Sequence, residues 1–600
     1  MTSAKTVISL LSVFFVAVST AWALPQRLII GMDGISYRDM KALQEGVVYT
    51  NFWGVVRRHG FGLDEGYFPV SRMVSTFPST SDVAWTDIFG NRPLPGYQRT
   101  FYSVAANSEI AINGLTSTME HERQMQWQSE SDLTRSMGYI YSVHVYEYEV
   151  REMVNSFWKA TGTNFYAYVR SSDDAQHMDR DVFTLLCYMD QKLQELRARY
   201  RAIEGHDLQI LIISDHGHNH AGRGERVQII PFLEKNGYQV ARSIQHSNEV
   251  VLPTSGIEDW IEIHNSPSET ERLAEKLVHL KGADVITARI QPSRFLVLNS
   301  QNERAVIDWD ATSNAFRYST VNGDPLRYGP VAQALGREGK LDARGFATAD
   351  NWMKATMTNH YPLALQRIVR GLTRVTLNPA TILVSLDNHY VHAAALINAG
   401  SKLESTESTH GALDDINSLG IVLSNFTSTH DTSTDRVAGY FGNFSGLREY
   451  RAEENGAEWV NKPEQSRARI KRDPFDWSYK SLPNNQIFLR VWSPDLARAG
   501  DDTLHASIVK LSGASADAGP DPVSLQPSVL HEQNYTFGPA TSLARNFESA
   551  YERIYPCPTN LSLEPSSVYQ ISGWAENGGK SAARFEFSFN TDDEGKPVAY

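Results

Sequence analysis

The sequence predicts an α/β protein. A mostly parallel sheet is sandwiched by helices, an α+β cap is inserted, and a small β-sandwich follows at the C-terminal end. Three observations carry this. Short, largely apolar runs end on an aspartate in RLIIGMDG, LQILIISDHG and TILVSLDNHY, at Asp33, Asp215 and Asp387. Strands buried on both faces read this way, as in a parallel sheet under two helical layers. Amphipathic stretches such as DRDVFTLLCYMDQKLQELRARYRAI and SETERLAEKLVHL lie between such runs and read as helices. Late in the chain, QIFLRVWSPD, TLHASIVKLSG, SVYQISGWAENG and ARFEFSFNTD are short strands parted by Gly, Ser and Asn turns.

The elements follow in chain order. MTSAK supplies a cation at Lys5, VISLLSVFFVAV an apolar run, and AWA a small-x-small cleavage site. This is the pattern of a signal peptide over 1–23, so export to a periplasm or to the outside is expected. The apolar run is short for a membrane span, and no later stretch approaches ~18 apolar residues. The mature chain is therefore expected to hold no transmembrane segment. The catalytic domain is expected over 24–465, with the cap at about 225–380, where ADVITARIQPSRFLVLNSQNERAVIDWD alternates apolar and polar residues. The basic stretch RARIKRDPFDW marks a linker, and 466–600 form the β-rich C-terminal domain.

With 600 residues, more than one core is expected. The net charge of −13 argues against a nucleic-acid backbone as partner. It leaves room for a small anion, because a cation in one cleft reverses the local field. Cys187 and Cys557 are the only cysteines, which excludes a disulfide scaffold. Cys187 falls on a helical apolar stripe and reads as a buried thiol, with a bridge to Cys557 as the alternative. NFT, NFS, NYT and NLS offer glycan acceptors at Asn425, Asn443, Asn534 and Asn560.

The chemistry lies in residues placed just after strands or near helix starts. In open α/β sheets, ligands bind beyond the carboxyl ends of the strands. Asp33 ends the first strand. VSTFPSTSDVAWTDIFG puts Thr76 before a Phe-Pro and a helix. SSDDAQHMDRD spaces Asp173 and His177 four apart, on one helix face. Asp215 and His216 stand side by side, and His410 precedes a glycine. Three aspartates and three histidines make two three-ligand sets, and a catalytic zinc keeps three protein ligands and one open position. Two such ions roughly 4 Å apart grip the attacking and leaving oxygens of an in-line displacement. Thr76 could supply the attacking hydroxyl from a helix N-terminus that also favours an anion.

The ordered set Asp33, Thr76-Phe-Pro, Asp173-x-x-x-His177, Ser214-Asp215-His216-Gly217 and Thr409-His410-Gly411 resembles the alkaline phosphatase superfamily. Its nearest branch is the type I phosphodiesterase/nucleotide pyrophosphatase group. The resemblance covers roughly residues 26–425 and implies an alkaline phosphatase-like fold. It implies that Asp173, His177 and His410 hold one zinc and Asp33, Asp215 and His216 the other. It implies that Thr76 attacks phosphorus through a phosphothreonine. DIFGNRPLPGYQ lacks the family's His-Gly and leaves Asn91 or Arg92 to meet the phosphate, and Gln176 replaces the usual glycine before His177. His218 and His220 are read as supporting or solvated histidines, and Asp387 with His389 as packing or pocket lining.

The expected function is cleavage of a small phosphorylated substrate, a phosphodiester or phosphoanhydride first. A phosphomonoesterase or phosphoryl transferase is the alternative on the same site. A surface-binding protein that retains the fold without catalysis is the alternative of another class, its C-terminal domain suited to a glycan or cell surface. His with Asp suits Zn2+, with manganese or iron as alternatives.

Overall fold

The computed structural model describes residues 24–45, 66–91, 93–98, 100–111, 120–128, 142–178, 181–222, 224–254, 256–393 and 408–440. It also describes the strands Val48–Thr50 and Val56–Arg58, Leu563, and seven strands beyond 455. The expected signal segment 1–23, Arg92, Cys557, Asn443 and Asn560 lie outside the described residues. No helix among the described residues is long and apolar enough to cross a membrane.

The central sheet has seven strands: β1 (Arg27–Met32), β2 (Ser71–Val74), β3 (Trp127–Gln128), β4 (Asn164–Val169), β5 (Gln209–Ser214), β6 (Leu419–Ser424) and β7 (Thr432–Ser433). Their order is β7-β2-β6-β5-β1-β4-β3. β1 runs parallel to β4 and β5, β3 parallel to β4, and β7 parallel to β2, whereas β6 is antiparallel to β2 and β5. Six strands therefore point the same way.

Alternate residues feed two cores. Leu28, Ile30, Ile210, Ile212, Phe165 and Val169 pack under helices α1 (Tyr37–Gln44), α3 (Ser142–Phe157) and α5 (Val182–Glu204). Ile29, Leu211, Ile213, Tyr166 and Tyr168 pack on the other face with Trp85 and Ile88 of α2 (Ser81–Ile88). Helices on both faces explain why the strands read as apolar throughout. Cys187 is partly buried against the first of these cores.

A second sheet of nine strands spans residues 239–386, and all its pairings but the first are antiparallel. Ile382–Leu386 lies inside it, between Trp260–Asn265 and Ala283–Gln291. The apolar run TILVSL is thus buried on both faces, but in this sheet and not in the parallel one. The turn after it is exposed, and the Asp387 carboxylate accepts from His389 N (3.1 Å), so Asp387 shapes a tight turn.

Beyond 455, Gly456–Asn461, Ile487–Trp492 and Glu552–Pro556 form a three-stranded sheet. Thr503–Leu511, Val529–Phe537, Val568–Asn577 and Lys580–Asn590 form a four-stranded one, and every pairing in both is antiparallel. Asn425 is engaged within the fold: its amide donates to Leu208 O (2.8 Å) and accepts from Ile210 N (2.7 Å).

Candidate metal centre and active site

The topology collects the strand-end residues on one edge. β1, β2, β4 and β5 are parallel, so Asp33, Ser75, Arg170 and Asp215 emerge at the same side of the sheet. β6 runs the other way and begins there, so the approach to it, Ser408 to Ser418, crosses the same edge. Helix α4 (Ser171–His177) starts straight after β4, and its spacing of four sets Asp173 and His177 on one face.

Two clusters result. Asp33, Asp215 and His216 each offer one ligand atom, and these lie within 4.8 Å of one another. Asp173, His216, His218 and His410 do the same. His177 approaches the other oxygen of Asp173, with Nε2 3.3 Å from Oδ2. All six residues expected as ligands from the sequence therefore meet at this edge. His218, expected only in support, joins them with Nε2 2.6 Å from Asp173 Oδ1.

The imidazoles are oriented from behind. His216 Nδ1 faces Gly217 O (3.1 Å), His410 Nδ1 faces Ser79 O (2.9 Å) and His177 Nδ1 faces Ser408 O (2.8 Å). A carbonyl accepts only, so each Nδ1 carries its hydrogen, and in the neutral imidazoles of His216 and His410 Nε2 keeps its lone pair toward the cluster. This backing by a protein oxygen is the usual support of a metal-bound histidine. Tyr168 OH donates to Asp33 Oδ2, and Gly34 N donates to Asp215 Oδ1 (3.2 Å).

The result is a crowd of acceptors. Among the described residues the buried Asp215 Oδ2 has no hydrogen-bond partner, and His216 Nε2 stands 3.2 Å from it. Two such atoms repel unless a proton or a cation lies between them. Burial, with Asp215 and Asp173 nearby, pushes the Asp33 carboxyl up. Burial, with Asp173 as a further charge, pushes Asp215 up to about 7. Burial drives His216 down to about 4 and His410 down to about 3. Burial opposes a charge on His177 too, but Asp173 overrides it and lifts His177 to about 9. Burial also works against the Asp173 carboxylate, yet His177, His410 and His218 hold it well below the usual range. Buried carboxylates and neutral imidazoles sharing one space fit divalent cations, which satisfy all of them at once.

The hydroxyl at the centre is that of Ser81. Its Oγ lies 3.1 Å from Asp33 Oδ1 and 3.0 Å from His216 Nε2. Ser81 opens α2, so it stands at the positive end of an eight-residue helix, preceded by Thr80 in extended backbone, whose side chain makes no capping hydrogen bond. The Thr76 hydroxyl instead donates to Pro78 O (2.7 Å), in the turn that carries the cis Phe77–Pro78 bond. Arg367 clasps the Thr76 carbonyl through Nε (3.2 Å) and Nη2 (3.0 Å).

Asn91 exchanges two hydrogen bonds with Gln124, at 2.7 and 3.0 Å, so its amide is committed there. Gln176, in the place of the usual glycine, donates to Gly34 O (2.9 Å) and ties α4 to the first strand's end. His220 Nε2 faces Asp39 Oδ2 at 3.6 Å, away from the cluster's carboxylates. Sequence reasoning did not single out Ser81 or Tyr168, and gave His218 a lesser role. The signal for His218 was its place, two residues past His216 in the stretch that leaves the strand end.

No protein-family model matches the chain, and no curated protein matches it. Among solved structures, human ectonucleotide pyrophosphatase/phosphodiesterase 5 is similar at 11% identity and a TM-score of 0.37, over 70% of this chain and 94% of that one. Phosphonoacetate hydrolase from Sinorhizobium meliloti, in complex with phosphonoformate, is similar at 10% identity and a TM-score of 0.37, over 70% and 95%.

Proposed function

We propose that the protein is an exported, metal-dependent phosphoric ester hydrolase, acting first on phosphodiester or phosphoanhydride bonds. Its nucleophile is a hydroxyl at the N-terminus of α2. The observation that carries this reading is the position of Ser81 Oγ, 3.1 Å from Asp33 and 3.0 Å from His216, beside the unpartnered Asp215 Oδ2. The motif order from Asp33 to His410 supports the substrate class by resemblance. That resemblance puts the attacking hydroxyl at Thr76, whereas the geometry favours Ser81.

Asp33, Asp215 and His216 would hold one cation, and Asp173, His177 and His410 the other. Two divalent cations, zinc by the mix of His and Asp, would supply Lewis acidity that lowers the pKa of the hydroxyl and offsets charge on the phosphate oxygens. The residues of the chain do the rest. The first-turn amides of α2 and its dipole favour the incoming anion. Ser81 Oγ gives its proton to solvent and forms a bond to phosphorus opposite the leaving oxygen, whose own bond to phosphorus breaks and which departs after taking a proton from water. A water molecule then attacks phosphorus, the Oγ–P bond breaks, and one of that water's protons passes to Ser81 Oγ. A covalent step of this kind splits one difficult displacement into two.

The domain limits belong to the same reading: a catalytic domain from 24, a cap in the region 225–380, and a C-terminal β-domain. The strand Gly456–Asn461 goes with that last group, since it pairs with Ile487–Trp492.

The deciding experiment assays bis(p-nitrophenyl) phosphate and p-nitrophenyl phosphate side by side. It uses the wild type, Ser81→Ala, Thr76→Ala and a chelator-treated sample. Loss of turnover in Ser81→Ala but not Thr76→Ala supports the serine; the reverse pattern returns the role to Thr76. The faster substrate separates diesterase from monoesterase. An alcohol-dependent phosphorylated product would identify a transferase. Absence of turnover in a protein that also binds no metal defeats the enzyme reading and favours a binding protein.

A further inference from the structure

His218 takes part in neither three-ligand set, yet it is fully buried and its Nε2 lies 2.6 Å from Asp173 Oδ1. Its Nδ1 is 3.0 Å from Ser408 Oγ. That same Ser408 backs His177 through its carbonyl (2.8 Å), so one residue aims two imidazoles at one carboxylate. The Ser408 hydroxyl also accepts from His220 N (3.0 Å). His410 completes the ring, with Nε2 3.5 Å from Asp173 Oδ1, and its ring centre is 5.2 Å from those of both His177 and His218. A tetrahedral zinc with ~2 Å bonds keeps its ligand atoms roughly 3.3 Å apart. The 3.3 Å from His177 to Asp173 Oδ2 and the 3.5 Å from His410 to Asp173 Oδ1 match that spacing, whereas His218, 2.6 Å from Oδ1, stands at hydrogen-bond distance and would draw back as a cation entered. The backbone makes room as well. A Cβ on Gly34 would come within 2.8 Å of both Asp173 Oδ1 and His218 Nε2, and Gly34 has φ +71°.

We propose that His218 is a fourth protein ligand of the cation held by Asp173, His177 and His410. This rests on the two-metal reading above and deepens it. A cation with four protein ligands has a closed shell, as structural zinc sites do, whereas one with three keeps a position open. The two cations then have different tasks. The one at Asp173 is permanent and acts through its charge. The one at Asp33, Asp215 and His216 would keep an open position, and Ser81 Oγ lies beside that set, 3.1 Å from Asp33 Oδ1 and 3.0 Å from His216 Nε2. The two would also exchange at different rates.

The test loads the full chain with zinc, dialyses it against a chelator and follows metal content by atomic emission. The wild type is expected to lose one equivalent early and keep the other. His218→Ala is expected to release that second equivalent roughly tenfold faster or more. Loading with cobalt gives a readout independent of turnover and of any variant's folding. The retained equivalent in the wild type should show the intense visible bands of four-coordinate cobalt. His218→Gln, closer in size, should fold as the wild type by circular dichroism and still lose the retained metal faster. Equal loss of both cations from the wild type overturns the inference. So does an unchanged cobalt spectrum and retention in both variants, which would leave His218 as a hydrogen-bond donor to Asp173 and the two-metal reading intact. A wild type that binds no metal overturns both.

Discussion

Helix α2 carries Ser81 at its start and is anchored at its end by Asp87. Arg370 reaches Asp87 with both terminal nitrogens, Nη1 to Oδ2 at 3.0 Å and Nη2 to Oδ1 at 2.5 Å. Both side chains are largely buried, at 13% and 16% exposure. Thr434 Oγ1 donates to Asp87 Oδ2 (2.7 Å), and Asp435 stands 3.8 Å from Arg370. Replacing Asp87 by Ala strands a buried guanidinium, a change that costs about 3–5 kcal/mol. Asp435 keeps part of the attraction, which places the expected loss near the lower end, about 3 kcal/mol. Asp87→Asn keeps an acceptor and should lose about half as much. The double variant Asp87→Ala/Arg370→Met removes the stranded charge and should recover part of the loss, since the two sites are coupled. Urea unfolding of all four proteins measures this through their midpoints. Activity should follow the same order, because a looser α2 moves Ser81 relative to Asp33 and His216. A double variant no more stable than Asp87→Ala would refute the argument that the buried charge dominates the cost.

Four further outcomes are expected. In chelator-stripped protein, Asp215 is raised from an ordinary 3.8 to about 7, so its contribution is favourable at low pH and is lost as pH rises through 7. Asp215→Asn should therefore raise the stripped protein's melting temperature at pH 8 and leave it nearly unchanged at pH 4; a gain of equal size at both values would contradict this. Gly34→Ala should cost roughly 1 kcal/mol for the left-handed backbone and more for the crowding of Asp173 and His218, visible as a lower melting temperature and weaker metal retention. Arg367→Met removes donors from Thr76 O, Leu413 O and Ser418 Oγ, and should cost at least about 3 kcal/mol in chemical unfolding. Tyr168→Phe leaves Asp33 Oδ2 without its donor and should lower turnover or metal affinity roughly 10- to 100-fold, with little change in fold by circular dichroism.

Much of the site was legible because acids were unexpected where they stood. Asp33 and Asp215 end runs that are largely apolar, and a parallel sheet brings such ends to one edge. Asp173 and His177 were legible from helical spacing. The hydroxyl was not. Five hydroxyl residues, Ser75, Thr76, Ser79, Thr80 and Ser81, crowd seven positions, and only the point where the helix begins decides which one faces Asp33 and His216. TILVSL shows a different limit. A strand buried in an antiparallel sheet between two cores has the same apolar run as one in a parallel sheet, so composition cannot say which sheet it joins. Asn425 shows another: the sequon is local, but its amide is taken up by Leu208 and Ile210, more than 200 positions away in sequence.

The antiparallel strand β6 has a consequence for how the molecule comes into being. It lies between β5 and β2, although it follows β5 by some 200 residues. Until Leu419–Ser424 has been made, β2 and the group β5-β1-β4-β3 have no hydrogen-bonded connection within the sheet. The Asp/His cluster is incomplete for nearly the same interval, because His410 and Ser408 arrive on the chain just ahead of that strand. Such distant pairings fold slowly, since a long loop must close before any contact rewards it. The strand that joins the two parts of the sheet and the residues that close the Asp/His cluster thus arrive late together, and a chain interrupted before residue 408 has neither.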